Sequence, residues 1–169
     1  IKKMIKNKNI LIIDDCSQAH GAKLKNKVVG SLADISCFSL YPGKNLGGYG
    51  DAGIITTNNN KLYKKIKNFR NLGSDIKFIH NQIGFNSRLD TIQASILLRK
   101  LPLLNLNNKK RINISKYYDQ NIKNSKITKL KYSKDAVYHQ YLILVKKRSS
   151  LIELQKKNKI PYNFHYPKA

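Results

Sequence analysis

Residues 34–58 read DISCFSLYPGKNLGGYGDAGIITTN, and the order of events within them decides the fold. The first part, DISCFSLY at 34–41, has the length and the apolar and aromatic content of a short strand, and it stops against Pro42. The following PGKNLGGYGDAG packs five glycines into twelve residues, a density that marks a tight, backbone-led loop. AGIITTN, at 52–58, then reads as another strand. One lysine, Lys44, sits inside the loop.

Upstream, NILII at 9–13 is a continuous apolar run ending in Asp14 and Asp15. That is the pattern of a strand buried on both faces, with polar groups emerging at its carboxyl end. Turn residues gather around Gly21, Asn26 and Gly30. Downstream, residues 59–71 are expected to be helical, with Leu62, Ile66 and Phe69 on one face. A loop from Gly73 through His80 and Gly84 leads to a second amphipathic helix starting near Arg88. Leu89, Ile92, Ile96 and Leu97 share its apolar side, and Pro102 ends or kinks it. A helix over 108–122, a strand over 137–145 and a short helix over 149–158 follow, before the closing IPYNFHYP. Strands alternating with helices in this order indicate an α/β layer, with the last third reading as the start of a smaller α+β unit. No repeat and no Pro/Ser/Gly linker divides the sequence, and the boundary between the two parts is placed between residues 106 and 107.

The 169 residues, 41% of them hydrophobic, suit one ordinary domain or slightly more. No apolar run approaches the roughly 20 residues that span a bilayer, so no membrane partner is expected. Residues 1–9 carry no apolar core of a secretory signal, and two cysteines are too few for a disulfide framework or a four-ligand zinc site. A reducing cytoplasm is the expected compartment and no metal is expected. A net charge of +24 raises nucleic acid as a partner. The basic residues argue against it: 28 are Lys and five are Arg, and the lysines run along the whole chain. Specific phosphate and base recognition favours the planar fork of Arg. Nineteen Asn and a single Glu accompany these lysines, so the charge reads as a solvated surface whose field helps recruit a phosphorylated small molecule.

Asp15 stands at the carboxyl end of the first strand, where open α/β sheets place ligand-binding groups, and Lys44 lies in the loop after the second. Such a pair suits pyridoxal 5'-phosphate: an amine bonds the cofactor aldehyde while a carboxylate keeps the pyridine nitrogen protonated. Taken alone the pair is weak, because aspartates after strands are commonly turn or cap residues.

The wording around the pair is more specific. IIDDCSQAHGA, then VGSLADISCFSLYPGKNLGGYGDAGIITTN, then HNQIGFNSRLDTIQASILLRKL closely resembles the DegT-type sugar-nucleotide aminotransferases, with YHQYLILV and the closing HYP as looser matches. The resemblance covers the whole chain in order. It implies the aspartate aminotransferase fold (fold type I): residues 1–106 would be the later part of the cofactor-binding large domain, with a mixed, mostly parallel sheet and flanking helices. Residues 107–169 would be a connecting helix and the beginning of a small C-terminal domain.

Carried over by motif, the resemblance implies that Lys44 bonds the cofactor and shuttles the proton of transamination. Asp15 would face the pyridinium nitrogen, Gln18 the cofactor's phenolic oxygen, and the Ser39 hydroxyl its phosphate. Asn86 would reach the phosphate of the neighbouring subunit, which makes a homodimer the expected active form. Relatives that act as sugar dehydratases carry His in place of that lysine, so Lys44 implies transamination. The implied reaction passes an amino group, from glutamate as the usual donor, to a keto group on a nucleotide-linked deoxysugar, in flavour a dTDP-keto-6-deoxyhexose.

Other residues carry competing readings. Ser39 and Gln18 are favoured as cofactor contacts over an ordinary strand end and a turn. His20 reads as structural, hydrogen-bonded beneath the loop. His80 is balanced between a substrate contact and a loop role. Arg88 is set between binding substrate phosphate and pairing with Asp90 or the chain. Tyr41 and Tyr49 flank the lysine loop and are candidates for lining the sugar pocket, and Cys16 and Cys37 read as small packing groups. In the family, the phosphate-cradling turn and the ring-stacking group precede the IIDDCSQ motif. The chain is therefore expected to be a fragment cut at both ends and inactive by itself. Two alternatives remain from other classes: a basic nucleic-acid-binding protein, and a non-catalytic remnant kept for dimerisation. Convergence of Asp15, Gln18, Ser39 and Lys44 on one site discriminates the cofactor reading from the first of these.

Overall fold

The structure, a computed structural model, describes Met4, residues 9–164 and residues 166–167. His165 of the closing HYP and most of residues 1–9 lie outside the described residues. The fold is α/β. Its central sheet runs β1 (Ile13–Asp15), β4 (Ile35–Ser39), β5 (Gly53–Thr56) in spatial order. Between β1 and β4 the chain makes a small hairpin of β2 (Lys23–Leu24) and β3 (Lys27–Val28), turned by Lys25 and Asn26, both with positive φ. The sheet is mixed as expected: β1 and β4 are parallel, with Asp15 opposite Cys37, and β5 runs antiparallel to β4, with Gly53 opposite Ser39.

The first strand departs from its sequence reading. It begins at Ile13, not at residue 9, and takes Asp14 and Asp15 into the strand itself. Ile10, Leu11 and Ile13 are 52%, 53% and 66% exposed, so the run is not buried on both faces in this chain. Within the sheet β1 pairs with β4 alone. The approach of the two strands starts at Ile12, whose N–H donates to the Asp34 carboxylate and whose carbonyl accepts from the backbone N–H groups of Asp34 and Ile35.

The core lies directly beneath the glycine-rich loop. Leu40 at the end of β4, Leu46 from the loop and Leu97 from α2 (Thr91–Lys100) are buried together, with Ala52 and Leu104 packed against them. The loop closes on itself: the Gly48 N–H donates to the Leu40 carbonyl and the Leu40 N–H to Ala52, each at 2.8 Å. At Gly47 an added Cβ would lie 2.4 Å from the Pro42 carbonyl oxygen, which explains why the turn requires glycine there.

The first helix, α1 (Asn60–Phe69), matches its expected place and is capped by Asn59, whose side chain accepts from Lys61 and Leu62 N–H groups. The loop expected after Gly73 instead contains a hairpin of β6 (Ser74–Ile76) and β7 (Ile79–His80). The second helix, α2, starts at Thr91 and not at Arg88, because Asp90 takes the extended N-cap conformation. Pro102 kinks the chain through a 3-10 turn at Leu101–Leu103, which leads straight into α3 (Leu104–Asn121), earlier than the expected residue 108.

The strand expected over 137–145 is confined to β9 (Ile143–Val145), which pairs with β8 (Ile127–Lys129), a strand the sequence reading did not contain. The Val137, Tyr138 and His139 carbonyls are taken by side chains of Asn45 and Arg111, so this stretch bonds to the loop and to α3 in place of a neighbouring strand. The last helix is α4 (Arg148–Lys157). Among the described residues no helix is long and apolar enough to cross a membrane.

Candidate cofactor site

Asp15 is the last residue of β1 and is exposed. Its Oδ1 accepts from the Ser17 N–H at 2.9 Å and from the Ser17 hydroxyl at 2.5 Å, an Asx-turn that orients the carboxylate. The Ser17 hydroxyl and N–H together hold the carboxyl below its ordinary pKa against a small opposing effect of burial, and the positive charge of Lys44 adds to the lowering. Asp15 and Lys44 are thus electrostatic neighbours although they come from different elements. Lys44 is half-buried, and its N–H donates to the Tyr41 carbonyl at 2.9 Å, closing a turn after Pro42.

Ser39 ends β4, half-buried, and its hydroxyl oxygen accepts from the Tyr41 N–H at 3.4 Å, which leaves its own proton for an acceptor. Gln18 is exposed in the turn after β1, where the Ala19 N–H closes on the Cys16 carbonyl. All four residues therefore sit in the segments that leave the carboxyl ends of two adjacent parallel strands. That is where an α/β sheet offers a crevice.

His20 is structural but not in the expected manner. Its ring is buried against Phe38, with centroids 5.3 Å apart, and neither nitrogen meets a partner at hydrogen-bond geometry. Burial pushes its pKa down; the nearby Ser39 backbone opposes this in part and Lys44 adds to it. Cys16 is fully buried, and burial, with Asp14 next, pushes its thiol up to about 11. Cys37 is half-buried.

Tyr41 and Tyr49 are exposed on either side of the lysine. The second half of the loop is held by α2: the Tyr49 N–H donates to Gln93 Oε1 at 2.7 Å, and Lys100 donates to the Gly47 carbonyl while lying 5.5 Å over the Tyr49 ring.

His80, Asn86 and Arg88 form a different group, held by the neighbouring residues Asn71 and Leu72. Asn86 bridges to Asn71 through the backbone, Arg88 donates to Asn71 Oδ1 at 3.3 Å, and His80 Nδ1 meets the Leu72 carbonyl at 2.9 Å. All three are exposed. Among the described residues no hydrogen bond joins this group to Asp15 or Lys44. Asn86 and Arg88 instead edge an open groove of 1220 Å³ between α1 and the β5 strand.

The donor set suits pyridoxal phosphate in kind: an ionised carboxylate oriented by Ser17 through one oxygen, a half-buried lysine whose charge acts on that carboxylate, and a strand-end hydroxyl able to donate to an anion. A sequence model of the DegT/DnrJ/EryC1/StrS aminotransferase family matches residues 1–169. The chain belongs to this family. It is 42% identical over 169 residues to the dTDP-3-amino-3,6-dideoxy-alpha-D-galactopyranose transaminase of Aneurinibacillus thermoaerophilus, covering 99% of this chain and 47% of that protein. It is 36% identical over 160 residues to a UDP-2-acetamido-2-deoxy-3-oxo-D-glucuronate aminotransferase of Pseudomonas aeruginosa, covering 94% of this chain and 45% of the relative. A DegT DnrJ EryC1 StrS aminotransferase from Brucella abortus superposes with a TM-score of 0.91 at 29% identity, over 99% of this chain and 45% of that one. The chain thus spans less than half the length of these relatives, and its architecture is that part of the fold type I aminotransferases.

Sequence reasoning missed Ser17, Asn45, Gln93 and Asn108, whose side chains or backbone bond the segments that carry the candidate residues. Ser17 had a legible signal, the Asp-x-Ser spacing of an Asx-turn. Gln93 and Asn108 had none, because they meet the loop only after α2 and α3 have packed.

Proposed function

We propose that the full protein is a pyridoxal-phosphate-dependent aminotransferase that passes an amino group from glutamate to a keto group of a nucleotide-linked deoxysugar. The favoured substrate is a dTDP-keto-6-deoxyhexose; the 42% identity to a transaminase named for a dTDP-linked 3,6-dideoxy sugar supports it. The single observation carrying the reading is that Asp15 and Lys44 sit in the segments that leave the carboxyl ends of adjacent parallel strands, with Asp15 oriented by Ser17 and Lys44 in the turn after Pro42. We place the enzyme in the cytoplasm as a homodimer, with Asn86 serving the partner's site, and divide the chain into a large-domain part to residue 106 and a small-domain part from 107.

When bound, the cofactor supplies an aldehyde and an electron-withdrawing ring. Asp15, oriented through Oδ1 by Ser17 and held ionised, would face the ring nitrogen and keep it protonated. Lys44 would hold the cofactor by its amine and would move a proton at the reacting carbon. The Ser39 hydroxyl donates to a phosphate oxygen. Gln18 orients the ring through its phenolic oxygen, and Tyr41 and Tyr49 stand where a sugar would be lined. His80 and Arg88 belong to the group around Asn71 and are proposed as substrate contacts together with Asn86.

The test is made on the full-length protein. Lys44→Ala is expected to lose cofactor retention on gel filtration and to cut transamination by about 10²–10⁴-fold, the usual worth of a positioned proton-transfer group. A Lys44→Ala protein that still transaminates at the parent rate overturns the assignment.

A further inference from the structure

One buried side chain joins the two loops that carry the candidate cofactor groups. Asn108 lies on α3 and is 5% exposed. Its Nδ2 donates to the His20 carbonyl at 2.8 Å, in the turn that follows Asp15 and Gln18. Its Oδ1 accepts from Asn45 Nδ2 at 2.9 Å, one residue beyond Lys44. Asn45 Nδ2 also donates to the Val137 carbonyl at 3.0 Å, so the series of bonds reaches the segment between β8 and β9. Asn45 and Val137 are 9% and 6% exposed. Arg111, farther along α3, holds the same segment through the Tyr138 and His139 carbonyls.

The approach is close. Gly21 has a φ of 82°, and a Cβ there would come within 2.9 Å of Asn108 Nδ2, so the turn carries glycine where the amide must pass. Buried amide–amide bonds of this kind add little stability over apolar packing of the same shape, but they fix orientation in a low-dielectric setting. Here they fix it for residues adjacent to Lys44 and to the Gln18 turn, and a displacement of about 1 Å in such a constellation costs on the order of 10²-fold in rate.

We propose that Asn108 is a positioning residue: through Asn45 and the His20 carbonyl it keeps the Lys44 loop and the Asp15–Gln18 turn in register with each other and with the 137–139 segment of the second unit. The seating of that unit is thereby transmitted to the lysine. This rests on the cofactor reading of Lys44 and Asp15 given above, and the test separates the two.

Amide hydrogen exchange is compared between the full-length parent and Asn108→Ala, both free of cofactor. Exchange is expected to rise about tenfold over residues 18–22 and 43–48 while β4 and α1 keep their protection. On titration with pyridoxal phosphate, affinity is expected to weaken about tenfold and kcat to fall, with KM for the keto sugar within about twofold of the parent. Asn45→Ala removes only one side of the link: 43–48 and 137–139 should loosen while 18–22 stays protected. It decides the matter should Asn108→Ala not fold. Unchanged exchange in both loops, or an equal rise across the whole fold, overturns the proposal. A parent that takes up no pyridoxal phosphate sinks the functional reading, and the exchange pattern then still decides whether the clamp exists.

Discussion

His20, 3% exposed, is held neutral in the folded chain because burial lowers its pKa, with the Ser39 backbone opposing in part and Lys44 adding to the lowering. In the unfolded chain it titrates near its ordinary value of about 6.5. Protonation therefore favours the unfolded state: the stability attached to this residue is complete above about pH 6.5 and is lost as pH falls toward the lowered folded value. Thermal unfolding followed across this range should show the midpoint dropping on the acid side, with a smaller drop in His20→Phe, whose ring fills the space without titrating. Identical pH profiles for the two proteins would remove His20 as the cause. Cys16 gives a second residue-scale expectation. With its thiol pushed up to about 11, only about one part in a thousand is thiolate near pH 8, and the side chain is fully buried. Alkylation followed by peptide mass analysis should leave Cys16 unmodified until the protein is denatured, and labelling of Cys16 in the native state at the rate of a free thiol would contradict its burial.

The elements show what a single sequence does and does not disclose. α1 was legible because its signals are local: Asn59 caps two N–H groups and the apolar residues repeat at helical spacing. The start of α2 was misplaced by a few residues, since Asp90 holds an extended conformation that nothing in the Leu89–Leu97 periodicity reveals. The 137–145 segment has strand composition, yet only Ile143–Val145 pairs as a strand, and the Val137, Tyr138 and His139 carbonyls are claimed by Asn45 and Arg111 from distant parts of the chain. Lys44 and Asp15 are candidates by motif alone, whereas the bonds of Asn108 to the His20 turn and to Asn45 are visible only in three dimensions. The glycine-rich loop provides the test at this scale. Gly47→Ala would put a methyl group 2.4 Å from the Pro42 carbonyl oxygen, a backbone atom that cannot swing aside. The loop must shift, at a cost of about 1–3 kcal/mol, and Lys44 shifts with it. Denaturant unfolding should register that loss and cofactor retention should weaken in parallel; a Gly47→Ala protein equal to the parent in both would show that the loop yields freely.

At the scale of the whole molecule the surface is the informative quantity. A compact protein of 19.4 kDa is expected to expose about 8,500 Å², whereas this chain exposes 13857 Å². Large apolar side chains contribute to it: Ile10, Leu11 and Ile13 before and within β1, Ile54 and Ile55 on β5, and Leu106 and Ile114 on α3 all stand open. This also explains why the run at 9–13 reads as doubly buried from sequence. Composition reflects every surface that packs on a strand, and this chain spans less than half the length of the relatives it matches. The 169 residues alone are therefore expected to bind a hydrophobic dye such as anilinonaphthalene sulfonate strongly, to self-associate, and to show no transamination when mixed with pyridoxal phosphate and both substrates. The full-length protein should bind little dye and be active. Dye binding and sedimentation measured on the two proteins side by side check this. A monomeric, dye-silent 169-residue chain would mean that the exposed strands and helix faces close on themselves in solution, and active turnover by that chain would mean that the phosphate is held without any contribution from the rest of the fold.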